Sequence, residues 1–233
     1  LRERLSADRT YYVRSDGDDG NDGLSDTAGG AFATITRAVD AVAAIDLGGF
    51  TATIKVGPGT HADMVVLKSL VGGTAILEGD VATPGNCVIA VAATACVQAS
   101  GIVGKWTLRG FRLSNSTLHG LLVGQGAILD YGAIEFGSCG NAHVFASTGG
   151  RVACESDCSI IGGATRHWFA AFGASIACQV RTITITGTPA FTTAFAAAQS
   201  TATMAIGGNT FSGAATGKRY DVSSNAVMIA GGG

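Results

Sequence analysis

The sequence predicts an all-β chain wound into a parallel β-helix solenoid, with a short capping helix at its N-terminal end. Three observations predict it. His119, His143 and His167 lie 24 residues apart, the mark of a chain that stacks coil upon coil. Cys154 and Cys178 keep the same step, as do Gly163 and Gly187, and the register groups Ile128, Val152 and Ile176 as one apolar column. The segments between them are short and β-rich rather than helical: 51–56, 74–79, 106–111 and 181–186, the last alternating polar and apolar at period two. Gly, Asn and Ser punctuate these pieces about every five to ten residues. Roughly seven coils at strand spacing make a rod about 35 Å long.

In chain order, residues 1–12 read as a charged attachment arm. Residues 13–50 read as a strand, an acidic turn loop and the capping helix, 51–222 as the β-helix, and 223–233 as a Gly-rich joint. Tyr11, Tyr12, Val13 and Arg14 make the first short strand. The loop 16–23 follows, and its Asp and Asn oxygens suit Asx turns. It fails the EF-hand pattern, because the fifth, sixth and twelfth positions from Asp16 are Gly20, Asn21 and Thr27. Ile35, Ala38, Val39 and Val42 then fall on one helical face, with Thr34 as N-cap, and Gly48 and Gly49 end the helix. Such a helix covers the open, hydrophobic end of a solenoid.

Composition points to a rod with covered surface. Of 233 residues only 14% are charged, against about 25% in ordinary soluble domains. Mean hydropathy is +0.35, yet no run of about 18 apolar residues exists to span a membrane. Identical neighbours covering part of the rod reconcile these facts, so a homo-oligomer is expected. A net charge of −2 with no basic stripe speaks against nucleic acid. The six cysteines sit among small residues without a disulfide framework and read as free thiols that fill the core; Cys154 and Cys178 leave a stacked disulfide open.

Residues 7–14, the Asp-Gly-Asp-Asp-Gly-Asn-Asp-Gly-Leu loop, and 30–35 leading into Ala38, Val39 and Asp40 together resemble a known module. It belongs to right-handed parallel β-helix proteins of bacteriophage and prophage tails, within the pectin-lyase-like group. The stretches 186–191 and 209–213 are similar to tail-fibre sequence. The resemblance implies a right-handed β-helix, company with other virion tail proteins, a homotrimer, location on the virion, and contact with host-surface polysaccharide. No cofactor is implied.

Three functions follow as expectations: a structural and adhesive appendage, a glycan depolymerase, and a collar or head-spike subunit touching only virion proteins. Depolymerisation would use two groove carboxylates. Asp130, Glu135, Glu155 and Asp157 are the candidates, with Glu155 and Asp157 on one strand face. Arg109, Arg112 and Arg151 are scattered along the chain. Trp168, Phe169 and Phe172 cluster in sequence as a glycan-stacking or oligomer contact. His119, His143 and His167 read as a structural ladder rather than a metal site, since no carboxylate flanks them.

Overall fold

The computed structural model describes residues 2–231. Leu1 of the arm and Gly232 and Gly233 of the joint lie outside them. Short alternating segments form three parallel sheets of nine, eight and seven strands, and every strand pairs with strands one coil away in sequence. Each full coil from Thr51 to Ala198 contributes one strand to each sheet, which is the parallel β-helix expected. The strand Arg9–Val13 begins the nine-stranded sheet by pairing with Thr51–Val56. The segment 223–231 contributes the strand Val227–Ile229 to the last coil.

The helix spans Ile35–Ala43 and buries Ile35, Ala38, Val39 and Val42. It takes the place of strands in the first coil and packs on Thr51–Val56 and Val65–Val66. The acidic loop is turn chemistry plus a cap. Gly20 donates to Asp18 at 2.7 Å and Leu24 to Asp22 at 2.9 Å. Asp19 accepts from the Ala33 and Thr34 amides, both at 2.9 Å, and from the Thr34 hydroxyl at 2.7 Å, while Thr34 Oγ1 accepts from Arg37 N. Replacing Asp19 with Ala strands these donors and should lower stability by about 1–2 kcal/mol. A urea midpoint equal to the parent's would remove Asp19 from this role.

The stride is not uniform. Thr74, Lys105, Ile128, Arg151, Ser175 and Thr203 align along the nine-stranded sheet, so successive coils use 31, 23, 23, 24 and 28 residues. This corrects three expectations. The apolar column is Trp106, Leu129, Val152, Ile176 and Met204; Ile128 is one residue out of register and faces solvent. Gly163 lies against Ala190, not Gly187. His119 aligns with Ala142, so only His143 and His167 stack. A 23-residue coil at that step moves His119 to the opposite face of its sheet, where its ring stacks on Phe145 at 4.7 Å.

His143 and His167 enter the core through a bend. In their sheet the ladder pairs Ala142 with Arg166 and Val144 with Trp168, and two successive residues, His143 with Val144 and His167 with Trp168, are fully buried. The imidazoles meet Nδ1 to Nδ1 at 2.9 Å, among Phe136, Phe191 and Phe195. One coil earlier Gly120 occupies this position, where a Cβ would come within 2.6 Å of the His143 carbonyl oxygen. Large and small residues alternate along the inward columns: Trp106 follows Ala52 and Ala75, and Trp168 precedes Ala196. All six cysteines are buried and free.

Candidate functional site

A shallow lateral cleft, widely open to solvent, lies where the nine-stranded sheet turns into the seven-stranded one, and has a volume of about 540 Å³. One wall is the loop inside the 31-residue coil, presenting Val81 and Pro84. Asp80 shapes that loop by accepting from the amides of Ala82 (3.0 Å) and Thr83 (2.9 Å) and from the Asn86 side chain (2.8 Å). These bonds, that from Asn86 foremost, hold its carboxyl below the usual range. The loop leans on Arg112, which pairs with Glu135; a Cβ on Gly85 would sit 2.5 Å from the Arg112 guanidinium.

The floor and far wall come from the next coils: Ala133 and Ile134, then Glu155, Ser156 and Asp157, then Arg181. Three of the coils turn this corner with a residue of positive φ: Gly110 (77°), Ala133 (48°) and Val180 (56°). Ala133 and the β-branched Val180 adopt the left-handed region at a steric cost that stacking on neighbouring coils sustains. Arg181 is held from two sides. Its amide donates to Asn209 Oδ1 at 2.9 Å, and its Nε donates to the Cys154 carbonyl at 3.2 Å.

The four candidate carboxylates lie around this corner, each in a different state. Glu155 and Asp157 line the cleft, on an exposed turn rather than on one strand face. Asp157 accepts the Thr182 amide at 2.8 Å. Asp130 is on the outer face of the nine-stranded sheet, only 5% exposed, and pairs with Lys105, whose ammonium is 3.8 Å from Glu155. Contact with the Asp130 carboxyl raises the Glu155 pKa, with Lys105 and Arg181 opposing. Glu135 is neutralised by Arg112. Asp130 and Glu155 share the Lys105 ammonium, whereas glycosidase pairs stand about 5–9.5 Å apart to admit substrate and water between them.

Arg109 and Arg112 each hold a carboxylate, Glu78 and Glu135 respectively. Arg109 joins Glu78, which Lys55 also approaches at 3.6 Å, in a row across three adjacent strands. Arg151 is exposed. The aromatic trio is no cluster. Trp168 is fully buried and donates from Nε1 to Tyr131 OH at 2.9 Å. Phe169 faces outward, stacked on Phe145 at 4.7 Å beneath the Arg166 guanidinium. Phe172 stands exposed on a turn with φ of 54°. Sequence reasoning missed Asp80, Lys105 and Arg181. The 24-residue step from Asp157 lands on Arg181 and was a usable signal; Asp80 and Lys105 had none, because the long loop breaks the stride.

Among the described residues no helix is long and apolar enough to cross a membrane. No family model and no curated protein matches the chain. Among solved structures, two crystal structures of the pectin methylesterase from Aspergillus niger are similar to it. The penultimately deglycosylated form is 15% identical, with a TM-score of 0.47, covering 97% of this chain and 87% of that one. The deglycosylated form is 13% identical, with a TM-score of 0.48, covering 98% and 88%. The strand pairings of this chain establish the β-helix by themselves, and these neighbours say nothing of its substrate or chemistry.

Proposed function

We propose that the chain is a structural and adhesive component of a phage-like virion appendage, a rigid homotrimeric β-helix whose lateral cleft contacts a host-surface polysaccharide. Stiffness follows from continuous ladder hydrogen bonding, each coil resting on the last. The observation that carries the binding reading is the cleft itself. It combines apolar walls at Val81 and Pro84 with a guanidinium, Arg181, and two carboxylates, Glu155 and Asp157, a mixture suited to the apolar faces and hydroxyls of a sugar chain. Low charge supports the oligomer, as does the exposure of Val103, Phe172 and Val180, each more than half open to solvent.

Light scattering on the purified chain should return three times the monomer mass. Binding to host capsular polysaccharide should weaken about tenfold in Arg181→Ala, the loss of one charged hydrogen bond. A glycan array without a hit would favour a collar or head-spike subunit instead. The raised Glu155 pKa keeps depolymerisation as a second reading, with Glu155 as proton donor. New reducing ends or unsaturated products that vanish in Glu155→Gln would establish it, and their absence with intact binding would leave adhesion.

A further inference from the structure

Beneath the cleft the winding gathers three thiols and a phenol. Cys154 ends the strand Arg151–Cys154, and Cys158 begins Cys158–Ile160 after the exposed turn of Glu155, Ser156 and Asp157. Their sulfurs are 3.8 Å apart, and both thiols donate to the Ser156 carbonyl, at 3.2 and 3.5 Å. Tyr131 aligns with Cys154 on one neighbouring coil. On the other, Ala153 aligns with Ala177, which brings Cys178 level with Cys154. Cys158 lines the cleft, so a small reagent entering it from solvent meets this pair.

We propose that Cys154 and Cys158 form a reversible redox pair whose oxidation joins them in a disulfide across the turn at the cleft rim. The separation of the sulfurs must shrink to the bond length of about 2.05 Å. The exposed turn between them can supply that movement. Cys154 and Cys178, by contrast, sit on adjacent coils whose ladder bonds hold them in place.

The oxidant class is a hydroperoxide, small enough for the site. The Cys154 sulfur attacks the peroxide oxygen, the O–O bond breaks, and sulfenic acid forms as the peroxide is reduced to an alcohol or water. The Cys158 sulfur then attacks Cys154 Sγ. The S–S bond forms, the S–O bond breaks, and the hydroxyl leaves as water with the Cys158 proton. Two thiols lose two electrons and two protons in all, and a dithiol reductant reverses the change by exchange. The surroundings favour Cys154 as the first to react: contact with the Cys158 and Cys178 thiols holds its thiol below the ordinary range, while the contact with Cys154 and burial push Cys158 upward.

The test is oxidation of the full folded chain with hydrogen peroxide, followed by peroxide removal, unfolding and alkylation. Alkylatable cysteines should fall from six to four. The protein should be lighter by two hydrogens before alkylation, and peptide mapping should place the bond between Cys154 and Cys158. Dithiothreitol should restore all six. Cys158→Ser should stop at a dimedone-reactive sulfenic acid on Cys154, and Cys178→Ser should still form the bond. A bond between Cys154 and Cys178, loss of the bond in folded Cys178→Ser, irreversible sulfinic acid, or six unmodified thiols would each overturn the proposal; mapping of the parent chain decides even where a variant does not fold. Glycan binding plays no part in the readout, so the outcome stands apart from the function proposed for the cleft.

Discussion

Acidification from pH 7 to pH 5 should destabilise the fold by about 4 kcal/mol through His143 and His167 alone, about 2 kcal/mol for each. Both imidazoles are fully buried, and burial lowers their basicity, that of His143 to about 3 and that of His167 well below the ordinary value. The unfolded chain binds a proton at each below about pH 6.5, while the folded chain binds none until much lower pH. Protons therefore favour unfolding: this stability is fully present above pH 6.5 and is lost as pH falls toward 3. The Nδ1 contact of 2.9 Å sharpens the effect, because one ring must donate and the other accept, and a second proton sets donor against donor. Urea titrations at pH 7, 6 and 5 measure it. The double variant His143→Leu, His167→Leu is the control, since it removes both partners at once and leaves His119 and His61, which burial shifts the same way. Parallel pH profiles for parent and double variant would sink the prediction.

Trp106→Ala should cost about 3–5 kcal/mol. Trp106 is fully buried in its column between Ala75 on one neighbouring coil and Leu129 on the other, so on the Ala75 side no large side chain stands ready to fill the void. Its Nε1 also donates to the Lys68 carbonyl at 2.8 Å, fixing the segment that leads into the next coil. Alanine thus opens a cavity and leaves a carbonyl without its donor. Trp106→Phe keeps most of the volume and loses only the hydrogen bond, and it should fall between the two. Equilibrium unfolding checks the order; a loss below about 1 kcal/mol for Trp106→Ala would mean that the coils collapse onto the void.

The winding was legible because its cause is local and repeated. Strand-forming pieces of about five residues, separated by turn residues, leave the chain no helical alternative, and the single amphipathic face at 35–42 stands out against them. The acidic loop was legible as turn chemistry for the same reason, and Asp18 and Asp22 bond their own neighbours. The cleft was only half visible. Glu155 and Asp157 could be named as acids, but the wall opposite them belongs to a loop more than 60 residues earlier in the chain, brought there by an extra-long coil.

What the sequence determined by itself is the coil: β-rich segments, corner residues, an end-covering helix and thiols suited to a narrow interior. What only the tertiary structure decided is which residues share a height and a face. In a strand, side chains alternate at every residue, so one residue more or less in a coil reverses the face of everything that follows until a corner absorbs it. Loops absorb such differences silently, and equal spacing in the chain does not guarantee a shared position in space. That is why His143 and His167 meet in the core while His119, at the same spacing, stacks on Phe145 on the outer face.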